Sequence, residues 1–199
     1  MGERHVFDID GVVINNDILI RYIRQYYPTF TPTDFVTYHI GTALQRSGFI
    51  ERATDFNDVL FFNTHGQEIF TKSPLTLGFK GYYDSLVAKG DDVHFLTARP
   101  IEASGLTFEY FQANGIATNQ VYHVGSPEGK MEVMKRIRPH YFYEDNLDQF
   151  RISDGLYQRG VLIDYPYNRH NNLHQNVVRV ADFNELSRIM SNLKAVRAR

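Results

Sequence analysis

Val6-Phe7-Asp8-Ile9-Asp10-Gly11-Val12-Val13 sets two carboxylates where an apolar run breaks into a turn. His5 to Ile9 is short and rich in β-branched and aromatic residues, the composition of a buried strand. Gly11 then permits a sharp change of backbone direction. Asp8 and Asp10 are two apart, so on a strand they share one face. The C-terminal edge of a strand is where open α/β sheets bind ligands. Two carboxylates held there repel each other, so a cation or a shared proton is expected beside them.

Three further segments repeat this meeting of apolar run and polar turn: Val93-His94-Phe95-Leu96-Thr97-Ala98-Arg99, Lys130 just after Gly125-Ser126-Pro127, and Tyr141-Phe142-Tyr143-Glu144-Asp145-Asn146. Singly, each has an ordinary explanation: a strand-end hydroxyl, a solvated helix lysine, an acid pair at a helix N-terminus. Together and in this order they suit phosphoryl transfer to an aspartate. A phosphate monoester dianion repels a carboxylate nucleophile, so attack by Asp8 requires charge neutralisation. Mg²⁺ held by one or two carboxylates suits that task, and Asp8 and Asp145 meet the ligand count. Lys130 offsets remaining charge and the Thr97 hydroxyl holds a phosphoryl oxygen. Asp10 protonates the leaving oxygen, then deprotonates the water that hydrolyses the aspartyl-phosphate.

These motifs resemble those of the haloacid dehalogenase-like superfamily, over roughly residues 5–163. The resemblance puts Asp8 on the nucleophile, Asp10 on the acid/base, Thr97 on the second-motif hydroxyl, Lys130 on the third-motif lysine and Asp145 on the fourth-motif metal ligand. It implies a Mg²⁺ site involving Asp8, Asp10 and Asp145, and substrate binding by Thr97, Ala98, Arg99 and Lys130. Glu144-Asp145 replaces the commoner paired aspartates, which leaves open whether Glu144 or Asp148 also touches the metal. The aspartate at position 10 marks phosphatases and mutases of this superfamily.

From Gly81 onward strands and helices alternate. Helices are expected over 81–89, 101–114, from Ser126-Pro127 through Lys130, and over 182–193, where Asp182 and Glu185 form a capping-box-like pair. The face of that last helix is Phe183, Leu186, Ile189, Met190 and Leu193. Strands are expected over 93–97, 120–124, 140–144 and 160–164. The pattern predicts an α/β fold, a three-layer α/β/α sandwich with a mainly parallel, Rossmann-like sheet.

Residues 15–75 break that rhythm. Helical spacing appears at Ile18, Tyr22, Ile23 and Tyr26, and again at Val36, Ile40, Ala43 and Leu44 after a start at Thr31-Pro32-Thr33-Asp34. One or two more helices are expected over 55–70. The division predicted is a core of 1–14 and 76–199 with a helical cap of 15–75, crossing near Asn15 and Pro74. In the resembled superfamily such a cap covers the site and selects substrate, and the crossings suit a hinge. The cap is rich in Tyr and Phe, among them Tyr22, Tyr38, Phe35 and Phe62, which either stack on a nucleobase or simply form core.

The 199-residue chain is long enough for a sizeable core, and its 43% hydrophobic share is ordinary. A net charge of −2 shows no bias toward polyanions. Absence of cysteine excludes disulfides and thiolate metal sites. With no long apolar stretch, a soluble cytoplasmic protein without membrane partners is expected. Asp164-Tyr165-Pro166-Tyr167-Asn168-Arg169, with the small cap, resembles the 5′(3′)-deoxyribonucleotidase branch. The expected substrate is therefore a small phosphorylated metabolite, with nucleoside monophosphates first. Alternatives are a sugar-phosphate phosphatase, a nucleic-acid 3′-end phosphatase, or a binding module that has lost turnover. Arg99 reads equally as a contact to a second charged group on substrate or as a structural ion pair. Lys135, Arg136 and Arg138 read as a solvated face beside Lys130 rather than a nucleic-acid surface. His170 and His174 read as part of a polar loop rather than a metal site.

Overall fold

The computed structural model describes residues 2–169, 172–173 and 175–197, with side chains to residue 192. In chain order the elements are β1 (Arg4–Phe7), α1 (Asp17–Tyr26), α2 (Ile40–Arg46), α3 (Asp58–Lys72), α4 (Phe79–Ala88), β2 (Asp92–Thr97), α5 (Ser104–Ala113), β3 (Val121–His123), α6 (Gly129–Ile137), β4 (Tyr141–Glu144), α7 (Leu147–Ile152), β5 (Arg159–Ile163), β6 (Val177–Val180) and α8 (Phe183–Arg197). The strands form one sheet in the order β3-β2-β1-β4-β5-β6, with every neighbouring pair parallel.

A parallel sheet needs cover on both faces, which is why its strands are apolar nearly throughout. Alternation divides them. Phe7, Phe95, Tyr143 and Val161 face a layer built by α4, α5 and α8 through residues such as Phe79, Phe111 and Phe183. Val6, Leu96, Phe142 and Leu162 face α6 and α7 through Val133, Met134 and Phe150. The three-layer sandwich expected from the sequence is the fold observed. Helices α1, α2 and α3 carry a third apolar cluster of their own, including Ile23, Leu44 and Phe61, to which Tyr167 of the β5–β6 connection also belongs. The chain enters and leaves this helical layer side by side: Asn15 N–H donates to Pro74 O at 2.9 Å, and Thr76 N–H to Val13 O at 2.9 Å.

Several expectations are corrected. β1 ends at Phe7, so Asp8 and Asp10 lie beyond the strand rather than on it. The cause is the carbonyl of Ile9, which collects the N–H groups of Val13 and Ile14 at 3.0 and 2.9 Å and curls the chain back. Pro32–Asp34 is a single 3₁₀ turn, not the start of α2. Asp34 Oδ2 takes both the N–H and the hydroxyl of Thr31, at 2.7 and 2.6 Å, and closes that turn, so Val36 falls outside a helix. Strand β6 and helix α7 are additions to the elements expected. His170 and His174 lie outside the described residues, as does the side chain of Leu193. No helix among the described residues is long and apolar enough to cross a membrane.

Candidate active site

The sheet order reverses direction between β1 and β4, and the crevice at such a switch point is where doubly wound sheets bind ligands. Asp8 follows β1, Thr97 ends β2, and Asp145 follows Glu144 at the end of β4. The ladder carries one step past β1, with Asp8 N–H donating to Tyr143 O at 2.9 Å, which fixes Asp8 beside the end of β4. Lys130 lies in the first turn of α6, which begins at Gly129 with Glu128 at its N-cap rather than at the expected Ser126-Pro127; Ser126 Oγ still accepts from Gly129 N–H at 3.1 Å and ties the preceding turn to the helix.

These residues meet. Lys130 Nζ donates to Asp8 Oδ1 at 2.7 Å and to Glu144 Oε2 at 2.8 Å, and all three are buried. Glu144 Oε1 accepts the N–H groups of Asp145 and Asn146, each at 3.2 Å. Both Glu144 oxygens are therefore engaged by protein donors. Asp145 Oδ2 accepts from the Tyr167 hydroxyl, and Asn168 Nδ2 donates to Asp145 O at 2.8 Å. Asp145 Oδ1 is buried without a hydrogen-bond partner among the described residues.

The electrostatics are unbalanced in one direction. Burial first, then the Glu144 charge, pushes the Asp8 carboxyl up to about 8 against the pull of Lys130. Burial, Glu144 and Asp8 push Asp145 well above the usual carboxylate range. Burial would lower Lys130, but Asp8 and Glu144 reverse that and raise it. One ammonium thus faces three carboxylates whose ligand oxygens all lie within 4.8 Å of one another. The oxygen-only donor set and the orphaned Asp145 Oδ1 fit a hard divalent cation such as Mg²⁺. Gly11 makes the close approach possible. It has φ +78°, and a Cβ there would lie 2.1 Å from Asp145 Oδ2.

Asp10 is not in that cluster. Arg99 Nε donates to its Oδ2 at 2.8 Å and Arg99 Nη2 to its Oδ1 at 2.5 Å, so the guanidinium fork takes both oxygens of the carboxylate. Asp148 is also elsewhere: it is exposed and paired with Arg151 at 2.9 Å. Thr97, Ala98, Arg99 and Lys130 all line one cavity of about 530 Å³ together with Asp8, Asp10 and Asp145. The Thr97 hydroxyl accepts from Arg99 N–H at 3.1 Å. Lys135 pairs with Glu132 on the surface while Lys130 points inward, so the basic residues of α6 share no single face.

The far wall of the cavity comes from the helical layer and its connections, with Phe35, Tyr38, Phe62 and Phe70 among its residues. Tyr38 is more than one-third exposed as a residue, but enclosure of its hydroxyl end, then the charges of Asp145 and Asp8, raises that hydroxyl above its ordinary range. Tyr38, Tyr167 and Asn16 were not among the residues expected to act at the carboxylates. Asn16 Nδ2 donates to the Tyr167 hydroxyl at 3.3 Å across a sequence separation of 151. No local pattern announces a pairing of that range, although the polar segment from Asp164 to Arg169 marks where to look.

No family model matches the chain. A curated protein of Clostridium acetobutylicum named as a nucleotidase is 24% identical over 187 residues, 94% of this chain and 92% of its own length. Among solved structures, protein tyrosine kinase A of Mycobacterium tuberculosis superposes with a TM-score of 0.63 at 15% identity, covering 94% of this chain and 97% of that one. A haloacid dehalogenase family hydrolase of Deinococcus radiodurans R1 with bound phosphate and sodium does so with a TM-score of 0.59 at 14% identity, covering 83% and 84%. With this sheet order, and with its acidic, hydroxyl and lysine motifs gathered at the switch point, the chain has the fold of the haloacid dehalogenase-like hydrolases and phosphatases.

Proposed function

We propose that the protein is a phosphomonoesterase that works through an aspartyl-phosphate on Asp8. The observation that carries this reading is the buried cluster of Asp8, Lys130 and Asp145 at the switch point, with one Asp145 oxygen left without a donor among the described residues. Asp8 and Asp145 would hold Mg²⁺, which supplies Lewis-acid neutralisation of phosphoryl charge when bound. The protein's own groups do the rest. An Asp8 oxygen forms a bond to phosphorus as the bond from phosphorus to the ester oxygen breaks, and Asp10 gives its proton to that leaving oxygen. Lys130 and the Thr97 hydroxyl bind phosphoryl oxygens. Asp10 then takes a proton from water, which attacks phosphorus and returns Asp8 as a carboxylate with release of phosphate.

Nucleoside monophosphates are the substrate class we favour. The aromatic residues of the cavity wall offer flat apolar faces to a base, and the Clostridium relative bears the name nucleotidase. The test is phosphate release with Mg²⁺ from deoxy- and ribonucleoside monophosphates, sugar phosphates and a 3′-phosphorylated oligonucleotide, with Asp8→Asn beside the wild type. Release that favours the monophosphates, stops on chelation and vanishes in Asp8→Asn supports the reading. Equal release by Asp8→Asn removes Asp8 as nucleophile, and no release from any member moves the weight to a binding role.

A further inference from the structure

We propose a second cation site, at the opposite end of the sheet from the carboxylate cluster, in which Glu3, His5 and Asp91 hold a divalent transition ion such as Zn²⁺. It does not depend on the hydrolysis above.

Strands β1 and β2 run parallel, so the residues that open them lie at the end of the sheet away from Asp8 and Thr97. Glu3 precedes β1, His5 is its second residue, and Asp91 precedes β2. One ligand atom from each lies within 4.8 Å of the other two. The backbones that carry them are already joined. Glu3 N–H donates to Asp91 Oδ1 at 2.9 Å, and Asp92 N–H donates to Glu3 O at 2.8 Å. The β1–β2 ladder begins at this point, with Arg4 opposite Asp92 and His5 opposite Val93.

The imidazole of His5 points to a ligand. The residue is 1% exposed, yet its Nε2 is buried with no hydrogen-bond partner among the described residues. Asp91 Oδ2 faces that nitrogen at 3.7 Å. An N–H···O hydrogen bond reaches only to about 3.2 Å. Two ligands of a tetrahedral Zn²⁺ with bonds of about 2.0–2.2 Å stand roughly 3.4 Å apart, so the observed gap suits a shared ion better than a hydrogen bond. The other ring nitrogen, Nδ1, lies 2.8 Å from the Tyr143 hydroxyl, which lies 2.8 Å from that of Tyr82. The tautomer that fits an ion has Nδ1–H donating to Tyr143, which leaves the Nε2 lone pair toward the two acids. Ligating histidines are commonly oriented in this way.

The donor set decides the class of ion. An imidazole with two carboxylates suits Zn²⁺ and its neighbours, whereas Mg²⁺ prefers oxygen ligands alone. Lys89 and, when protonated, His140 oppose a cation beside His5, and Asp92 supports it. Glu3 is exposed and the Asp91 side chain is 10% exposed, so the ion enters from solvent and water completes its coordination. Once bound, it staples the start of β1 to the start of β2, the two strands that lead to Asp8 and Thr97.

The experiment titrates Zn²⁺ into chelator-stripped protein in excess Mg²⁺, which competes for the all-oxygen cluster. Calorimetry reads stoichiometry and affinity, and thermal melting accompanies it. One ion per chain is expected, with a melting temperature that rises with Zn²⁺, because an ion held only by the folded chain stabilises it. His5→Phe is expected to lose at least about 100-fold in affinity, beyond the 10- to 100-fold typical of a ligand's supporting partners. Glu3→Gln and Asp91→Asn, which keep size and shape, should each lose about 10-fold or more. If His5→Phe does not fold, those two variants decide. Binding abolished by excess Mg²⁺ overturns the proposal by placing the ion at the Asp8–Asp145 cluster. Binding unchanged in all three variants overturns it in favour of other histidines of the chain. Loss in His5→Phe with both acid variants unchanged, or no binding at all, overturns it as well. None of these readouts is an ester assay, so a protein inactive on every ester still tests the site.

Discussion

The Tyr167 hydroxyl donates to Asp145 Oδ2, while Asp145 Oδ1 is buried with no hydrogen-bond partner among the described residues. One oxygen is thereby oriented, and the other is the one that would serve as a ligand under the proposed function. Groups that orient a metal ligand typically contribute 10- to 100-fold in affinity. Tyr167→Phe is therefore expected to weaken Mg²⁺ binding by roughly 10-fold. Titration calorimetry on the purified protein reads this directly, and an unchanged dissociation constant would show that Tyr167 only fills space.

Lys130 bridges Asp8 and Glu144 in an almost fully buried setting. Removing one partner of a buried ion pair strands the others at a cost of about 3–5 kcal/mol. Lys130→Met should lose that order of stability in urea without metal, along with phosphate release. Adding Glu144→Gln should recover part of the stability and none of the activity, since it removes one stranded charge but restores no cation. A single variant as stable as wild type would contradict the bridging role.

Gly11→Ala meets two obstacles. The residue would stand at φ +78°, and its Cβ would fall on Asp145 Oδ2. The left-handed conformation alone costs about 1–2 kcal/mol in a residue with a side chain. The clash must be relieved by moving Asp145, so metal affinity should fall together with stability. Calorimetry and thermal melting on the same sample check both, and a stability loss with intact Mg²⁺ binding would show that Asp145 does not need the close approach.

His5 gives a pH dependence at the opposite end of the sheet. Its ring is buried and stacked on Tyr141, and Nδ1 lies 2.8 Å from the Tyr143 hydroxyl. Burial, only partly offset by Asp91, lowers its pKa from 6.5 to about 4. Between those values the unfolded chain binds a proton that the folded one refuses, so stability falls as pH drops from about 6.5 to about 4. The full effect is about 3 kcal/mol. Urea titrations at several pH values should show this slope, and His5→Phe should flatten it. A slope that persists in His5→Phe would assign it to another group.

The central strands, and the meeting of the motif residues at their ends, were legible because they are written locally. Val6-Phe7, Phe95-Leu96 and Phe142-Tyr143 are apolar runs long enough to be recognised, and Asp8, Thr97 and Glu144 follow them directly. Strand β6 was not legible: Val177–Val180 is four residues interrupted by Arg179, which is held in place by Asp164 at 2.9 Å from a different part of the chain. Helix α7 has six residues, too few for a helical period to show, and rests on packing of Leu147 and Phe150 against the sheet. Positions of Asp8 and Asp145 followed from the motifs, but the turning of Asp10 toward Arg99 did not. That depends on where a side chain 89 residues away points, which spacing alone does not encode. The same holds for Tyr167, whose role is set by how the β5–β6 connection folds back over β4.

The chain leaves and re-enters the α/β core through two segments zipped together at Val13–Asn15 and Pro74–Thr76, with Ile14 paired to Leu75. Everything between them begins and ends at the same point in space. A different stretch of chain whose ends meet at that spacing can therefore be grafted in place of the three helices with the Asp8–Gly11 turn left standing. Under the proposed function, the part that would carry the phosphoryl chemistry and the part that would select what bears the phosphate are in this sense separable, joined at a seam only a few residues wide.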